Sequence, residues 1–386
     1  MKKRKICCVI NSRANYARVK TVLAELRNRE DCDLKIIVGA SGLLFRYGEV
    51  ARIIRADGFN VDKEIYSVIE GNEPIVMAKT TGLALLDLAS TFHELKPDIV
   101  LTVADRHETL ATAIAASYMN ILLAHTQGGE ITGSIDESVR HACTKLAHVH
   151  FPATKKAYEN IIQMGEEPNR VFLVGCPSLD LVKQDVNVDI RQILTNYIGP
   201  SASFGSGNYL LVLLHANTQD YIRSGEEAQV LLNAVEEIGL PAIWLWPNVD
   251  SGTDLISKVL RTHRELNINS KISFVRNFSP EDYITVLKNS ACIVGNSSSG
   301  IREASLTGTP SVTIGARQSG REVYKNVIRV DRFEKELIIE AIRNRLKHGA
   351  FEPSNLYGDG KAGVRIADKL CTLELSIEKR FVRSGS

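Results

Sequence analysis

The sequence predicts an α/β fold of two doubly wound, Rossmann-like domains facing a cleft, and three observations carry that prediction. Short, continuous, β-branched apolar runs alternate with longer helix-period segments, the pattern of parallel sheets covered by helices on both faces. The alternation breaks once, at the turn-forming stretch Gly199-Pro-Ser-Ala-Ser-Phe-Gly-Ser-Gly207, and then starts again. The chain has 386 residues, two or three times the ~150 of a typical domain. The division expected is a first domain over residues 1–180, a linker over 181–207 and a second domain over 208–363.

In the first half the buried-strand candidates are Ile6–Ile10, Leu34–Val38, Asp98–Ala104, Ile121–Thr126, His148–Pro152 and Val171–Gly175. Helical patterns separate them at Tyr16–Arg29, Glu49–Ala56, Ile75–Leu95, His107–Ser117, Asp136–Ala147 and Lys155–Met164. In the second half the strands are Tyr209–Leu214, Ala242–Trp246, Lys271–Val275, Cys292–Gly295 and Ser311–Ile314. The helices there fall near Glu226–Ile238, Thr253–Glu265, Glu281–Lys288, Ile301–Leu306 and Glu334–Lys347. Open α/β sheets bind ligands beyond the carboxyl ends of their strands, so a clamp on a phosphorylated or nucleotide ligand is the expectation.

Composition narrows the partners. Lys plus Arg number 47 and Asp plus Glu 45, a net charge of +2, too small for a nucleic-acid-binding or basic membrane-surface chain. The apolar run Ile6–Ile10 is too short for a signal-peptide core, and no stretch is expected to approach the ~20 apolar residues of a membrane span, which points to the cytoplasm. The seven scattered cysteines show no C-x-x-C pair and read as reduced core thiols, and no metal-ligand spacing emerges.

The chemistry-bearing residues sit at strand exits. The strand Ile99–Val103 ends in Ala104-Asp105-Arg106-His107-Glu108, and the next ends in His125-Thr126-Gln127-Gly128-Gly129-Glu130, followed by Ile131-Thr132-Gly133-Ser134-Ile135-Asp136. Asp105, Glu130 and Asp136 form a carboxylate cluster able to divide acid and base roles; singly, Asp105 reads as a helix cap and Glu130 as a solvated loop charge. Gly128, Gly129 and Gly133 allow close approach to a ligand, and Ser134 with Glu137 fits a capping box. In the second half His215 follows a strand, positioned either to meet a diphosphate or to bond within its loop. The turn Gly295-Asn-Ser-Ser-Ser-Gly300 opening into Ile301-Arg302-Glu303 suits a phosphate, or ordinary capping, and lacks the Lys of a Walker A loop. Neither half opens with G-x-G-x-x-G. Arg13, Arg317 and Arg321 add guanidinium groups at further strand exits.

Taken together, Lys96-Pro-Asp-Ile-Val100, Ala104-Asp-Arg106, His125-x-x-Gly-Gly-Glu130, Thr132-Gly-Ser-Ile-Asp-Glu-Ser-Val-Arg-His141, Val174-Gly-Cys-Pro-Ser178, Gly295-Asn-Ser-Ser298, Gly300-Ile-Arg-Glu303 and Gly315-Ala-Arg-Gln-Ser-Gly-Arg-Glu322 resemble the hydrolysing UDP-N-acetylglucosamine 2-epimerases of sialic acid synthesis. The resemblance implies a glycosyltransferase-B-like architecture whose last helix, here about residues 364–386 with Val364–Ile377 as its core, packs back on the first domain. It implies elimination of UDP from UDP-GlcNAc to a glucal and addition of water to give N-acetylmannosamine, with no cofactor or metal, in a homodimer or homotetramer. Asp105 and Asp136 match catalytic carboxylates, and His215 matches the histidine near the leaving group. Arg13, Ala14, Arg106, Asn248, Phe278, Ser297, Ser298, Glu303 and Arg317 match nucleotide or substrate contacts. Glu303 is then suited to the ribose hydroxyls, Phe278 to the uracil, and the serines to the diphosphate.

Three positions depart from the family. Gln127 stands where well-known members carry a catalytic Glu, which leaves the base open between Glu130 and Asp105. Gly42 in Ala40-Ser41-Gly42-Leu43 replaces a histidine, and Asn15 a frequent Asp. The alternatives kept are the same chemistry on GDP-GlcNAc or a diacetamido UDP-sugar, the non-hydrolysing epimerase, a glycosyltransferase, and a non-catalytic sugar-nucleotide binder.

Overall fold

The computed structural model describes residues 3–383 except 72, 134, 184–188, 200–203, 218–219 and 248–250. The first parallel sheet is built from β1 (Arg4–Ile10), β2 (Cys32–Gly39), β3 (Lys63–Ile65), β4 (Ile99–Val103), β5 (Leu122–Thr126) and β6 (Val149–Phe151) in the order β3-β2-β1-β4-β5-β6. The second uses β7 (Leu210–Leu213), β8 (Ala242–Leu245), β9 (Ile272–Val275), β10 (Cys292–Gly295), β11 (Ser311–Ile314) and β12 (Val327–Val330) in the order β12-β11-β10-β7-β8-β9. Numbered from its own first strand, each sheet runs 3-2-1-4-5-6, and the strand order reverses between β1 and β4 and between β7 and β10. Those two reversals open the crevices that bind ligands in doubly wound sheets.

Parallel sheets bury both faces, and here each face has its own apolar core. Ile6, Cys8, Ile10, Ile99 and Leu101 point to one side of the first sheet, Cys7, Val9, Val100 and Leu123 to the other. In the second, Leu210, Val212 and Trp244 face one core, and Leu211, Leu213 and Ile243 the opposite one. The helix Ala362–Thr372 returns to the first unit, where Ile366, Ala367 and Leu370 join the core beside Leu23 and Leu26. Its N-terminal amides are capped from far along the chain: Ala362 and Gly363 donate to the Asp180 carboxylate at 2.9 and 2.6 Å.

Several predictions are corrected. Val171–Gly175 is no strand; it makes one bridge, His150 to Val171, and Val174 N–H donates to the Pro152 carbonyl at 3.2 Å. Pro152 has no N–H to return a bond, so the ladder stops. The expected helix Tyr16–Arg29 is two, Arg13–Ala17 and Lys20–Arg27, broken at Arg18 and Val19. The edge strands β3 and β12 and the helix Ile190–Ile198 were not predicted: β3 is three residues with two charges, and β12 carries Arg329 on a half-exposed edge. The helix Pro74–Leu95 is long and apolar enough to cross a membrane by length and composition, against the expectation that no stretch comes near, and it packs Ala84, Leu88 and Phe92 into the core. All seven cysteines are unpaired thiols, six of them buried.

Candidate active site

The two reversal points face each other across a cleft of about 1110 Å³, its open mouth included. After β1, Ser12 caps the helix Arg13–Ala17 by accepting from the Asn15 backbone N–H, and Arg13, Ala14, Ala17 and Arg18, spaced one helical turn apart, line the cleft. After β4 come Asp105 and Arg106, and from the start of the helix Ile135–Leu146 comes Asp136. The second unit contributes His215 after β7, Phe278 after β9, Ser297 and Ser298 after β10, Glu303 from the helix Arg302–Thr307, and Arg317 after β11. Eleven of the predicted site residues thus line one cavity. Asn248 lies outside the described residues, as does Ser134 of the expected capping box. Glu137 accepts instead from the Thr132 amide at 2.7 Å.

Glu130 and Gln127 are the exceptions: neither lines this cleft. Both lie behind the cleft wall, 5% and 1% exposed. Arg302, reaching over from the second unit, grips both Glu130 oxygens from Nη2 at 2.7 and 2.6 Å. Its Nη1 donates to Gln127 Oε1 at 2.5 Å. Arg321 Nη1 stands 2.5 Å from Glu130 Oε2. The glycines of the same loop serve packing rather than a ligand. A Cβ on Gly129 would meet the Ala157 carbonyl at 2.1 Å, and one on Gly133 the Ala316 carbonyl across the cleft at 2.1 Å.

The charges in the cleft divide cleanly. Burial alone would raise the Asp105 carboxyl, but Arg140, Arg18 and Arg321 outweigh it and hold the group below the usual carboxylate range. Arg140, fully buried, pairs with Asp105 Oδ2, its Nε at 3.1 Å, while Arg18 approaches Oδ1 at 4.0 Å. Arg106 is itself gripped by Glu108 through two bonds of 3.2 Å. Arg317 lies 3.7 Å from Asp136. Burial, then Arg317, Arg13 and Arg106, push His215 well below an ordinary imidazole, so it is neutral at pH 7. Asn296 fixes that histidine, accepting from its backbone N–H at 2.8 Å and donating to its carbonyl at 2.7 Å.

Other contacts shape the side of the cleft lined by the second unit. Ser178 Oγ donates to Glu303 Oε1 at 2.6 Å, while the buried Oε2 has no partner among the described residues and stays available to an incoming hydroxyl. Phe278 is buried edge-on against Tyr197, with centroids 4.5 Å apart, and presents an apolar wall. Arg18 Nη2 donates to Ser298 Oγ at 2.9 Å, tying the first unit to the Gly/Ser turn. Arg18 and Tyr283, which line the cleft, were missed by sequence reasoning, and Glu108 and Ser178 stood in the sequence only within motifs, without a role. Arg18 was read as the interior of one long helix, whereas it lies just past the end of the helix Arg13–Ala17. Such a site has the cations for a diphosphate, two carboxylates for proton transfer and an apolar slot for a base.

A family model described as UDP-N-acetylglucosamine 2-epimerase matches residues 24–371. The chain is 35% identical over 372 residues, 96% of its length and 97% of the other's, to the UDP-N,N'-diacetylbacillosamine 2-epimerase (hydrolyzing) of Legionella pneumophila. It is 29% identical to the UDP-N-acetylglucosamine 2-epimerase of Neisseria meningitidis, covering 98% of this chain and 99% of that one. Among solved structures, the Neisseria meningitidis UDP-GlcNAc 2-epimerase bound to UDP-GlcNAc superposes with a TM-score of 0.76 at 16% identity, over 95% of this chain and 99% of that one, and so shares its fold.

Proposed function

The chain belongs to the UDP-N-acetylglucosamine 2-epimerase family, and from that premise we propose that it is a hydrolysing 2-epimerase, converting UDP-GlcNAc and water to N-acetylmannosamine and UDP. The observation that carries the reading is the convergence in one cleft of Asp105, Asp136, Arg13 and Arg106 from the first unit with His215 and Arg317 from the second, at the two strand-order reversals.

In this reading an ionised Asp105 takes the proton from carbon 2 as the bond between carbon 1 and the diphosphate oxygen breaks. The electron pair forms the carbon 1–carbon 2 double bond of a glucal, and UDP leaves. Water then adds across that double bond: its oxygen bonds to carbon 1, the proton it gives up passes through the Asp136 carboxylate to carbon 2 on the opposite face, and Asp105 releases the proton it took to solvent. Arg13, Arg106 and Arg317 stabilise the charge building on the leaving diphosphate. Its arrival offsets their effect on His215 and lets the imidazole share a proton with the departing oxygen. Glu303 accepts the ribose hydroxyls, Phe278 flanks the uracil, and Ser297 and Ser298 hold phosphate oxygens.

A second substrate, a UDP-2,4-diacetamido sugar, is favoured by the 35% identity to the Legionella enzyme. Incubation with UDP-GlcNAc, that diacetamido sugar and GDP-GlcNAc in parallel, with chromatography of the products, tests both readings. Free N-acetylmannosamine with stoichiometric UDP is expected. A UDP-sugar epimerised without release of UDP replaces hydrolysis with the non-hydrolysing reaction, and turnover of the diacetamido sugar alone moves the substrate.

A further inference from the structure

We propose that Glu130 and Gln127 are positioning residues that form a two-sided socket for Arg302, so that closing the second unit on the first sets Asp105 in place. The inference rests on the reaction just given, and the contacts run as an unbroken buried chain. Arg302 follows directly on the Gly/Ser turn and precedes Glu303, which faces the nucleotide side of the cleft. Its side chain reaches into the first unit, wholly buried, with Gln127 on one nitrogen and Glu130 on the other, while the Tyr357 ring of the second unit stays 5.7 Å from its guanidinium. The backbone carbonyl of Glu130 accepts from Arg140 Nη1 at 2.7 Å, and the other nitrogens of Arg140 hold Asp105. Three residues, Arg302, Glu130 through its carboxylate and its backbone carbonyl, and Arg140, therefore connect the Gly/Ser turn to the carboxylate placed to take the proton.

Physical cost explains the two acceptors. A guanidinium pulled from water into a fully buried interface is tolerated only when its donors meet acceptors in good geometry. Gln127 does this without charge, since its Oε1 accepts from Arg302 while its Nε2 donates to Cys176 Sγ at 3.2 Å. With both Glu130 oxygens committed to Arg302 and Arg321, that carboxylate has no oxygen turned to the substrate.

The test exploits the two sides of the socket. Glu130→Gln, near-isosteric, removes the charge, and the double variant Glu130→Gln with Gln127→Glu returns a carboxylate to Arg302 from the other side. Steady-state kinetics, UDP calorimetry and thermal melts are measured on each. Glu130→Gln is expected to lower kcat about 100-fold, the scale of a 1 Å misplacement, with KM and UDP affinity within about threefold. The double variant is expected to regain about tenfold or more of kcat. Wild-type kcat in Glu130→Gln, a folded double variant no better than the single one, or a double variant whose pH–kcat profile is displaced from that of the wild type overturns the proposal, the last because a Glu at position 127, where well-known family members carry a catalytic one, would then be restoring turnover as a base rather than by holding Arg302. Independently of turnover, Arg302→Met is expected to enlarge the small-angle-scattering radius of the ligand-free protein, and an unchanged radius also overturns the socket. Absence of turnover in the wild type with the scattering change present condemns the reaction and spares the socket.

Discussion

Asp105 shows how neighbours decide what a residue can do. In isolation it reads as a helix cap; in the fold it lines the cleft and is kept ionised by Arg140 and Arg18 despite its burial. Asp105→Asn cannot accept a proton, and turnover is expected to fall at least about 100-fold. UDP affinity measured by calorimetry is expected to persist, because the diphosphate and ribose contacts lie elsewhere. Retained turnover removes Asp105 from the mechanism. The same variant strands Arg140 without its counter-charge and is expected to cost about 3 kcal/mol in urea unfolding. Asp105, His215 and the arginines stand out in the sequence because each comes within a few residues of a strand end, and Asp136 because it opens the helix after the β5 loop. Sequence reasoning could not separate Glu130 from them, since Glu130 lies in the same loop text. What distinguishes it is Arg302, 172 residues away in sequence. Long-range pairing of that kind is invisible to a reading that runs along the chain.

Among the elements, the β4 and β5 exits carry the most unusual backbone. Ala104 and Gln127 hold φ near +60° without being glycine, a conformation that costs about 1–2 kcal/mol per residue. His125, on β5 and fully buried, fastens this corner. Its Nε2–H must donate to the Ala104 carbonyl at 2.8 Å, leaving Nδ1 to accept from Thr144 Oγ1 at 3.3 Å. Burial, partly opposed by that carbonyl, lowers the imidazole to about 4. A depressed folded value means the contribution is present above the unfolded pKa of about 6.5 and is lost as pH falls toward 4. Between pH 7 and pH 5 the unfolding free energy is expected to drop by about 2 kcal/mol from this group. His125→Gln, followed by urea denaturation at both pH values, is expected to remove that much of the drop, and an equal drop in both proteins contradicts the assignment. Central strands and helices were legible from apolar periodicity. Edge strands were not, because β3 and β12 are short, charged and half-exposed, and the Pro152 stop beside Val171–Gly175 depends on which strand lies alongside.

For the whole molecule, a net charge of +2 excludes a broadly basic surface yet conceals strong local separation. Arginines from both units converge on one cleft, where Asp136 of the first unit meets Arg317 of the second, and behind its wall Glu130 of the first meets Arg302 of the second. The doubly wound class was readable because two runs of alternating elements each place a reversal of strand order opposite the other. The closed arrangement was not readable, since it rests on contacts between the units, among them Arg302 with Glu130, Arg18 with Ser298, and Arg13 with the Trp246 carbonyl at 2.6 Å. Such contacts put the Gly/Ser turn and the carboxylates proposed to move the proton around one cleft, as the proposed elimination at carbon 2 requires. The most direct test is turnover of UDP-GlcNAc in deuterated water followed by NMR of the released sugar. The account predicts free N-acetylmannosamine bearing one deuterium at carbon 2; released sugar that keeps its original hydrogen there would contradict it.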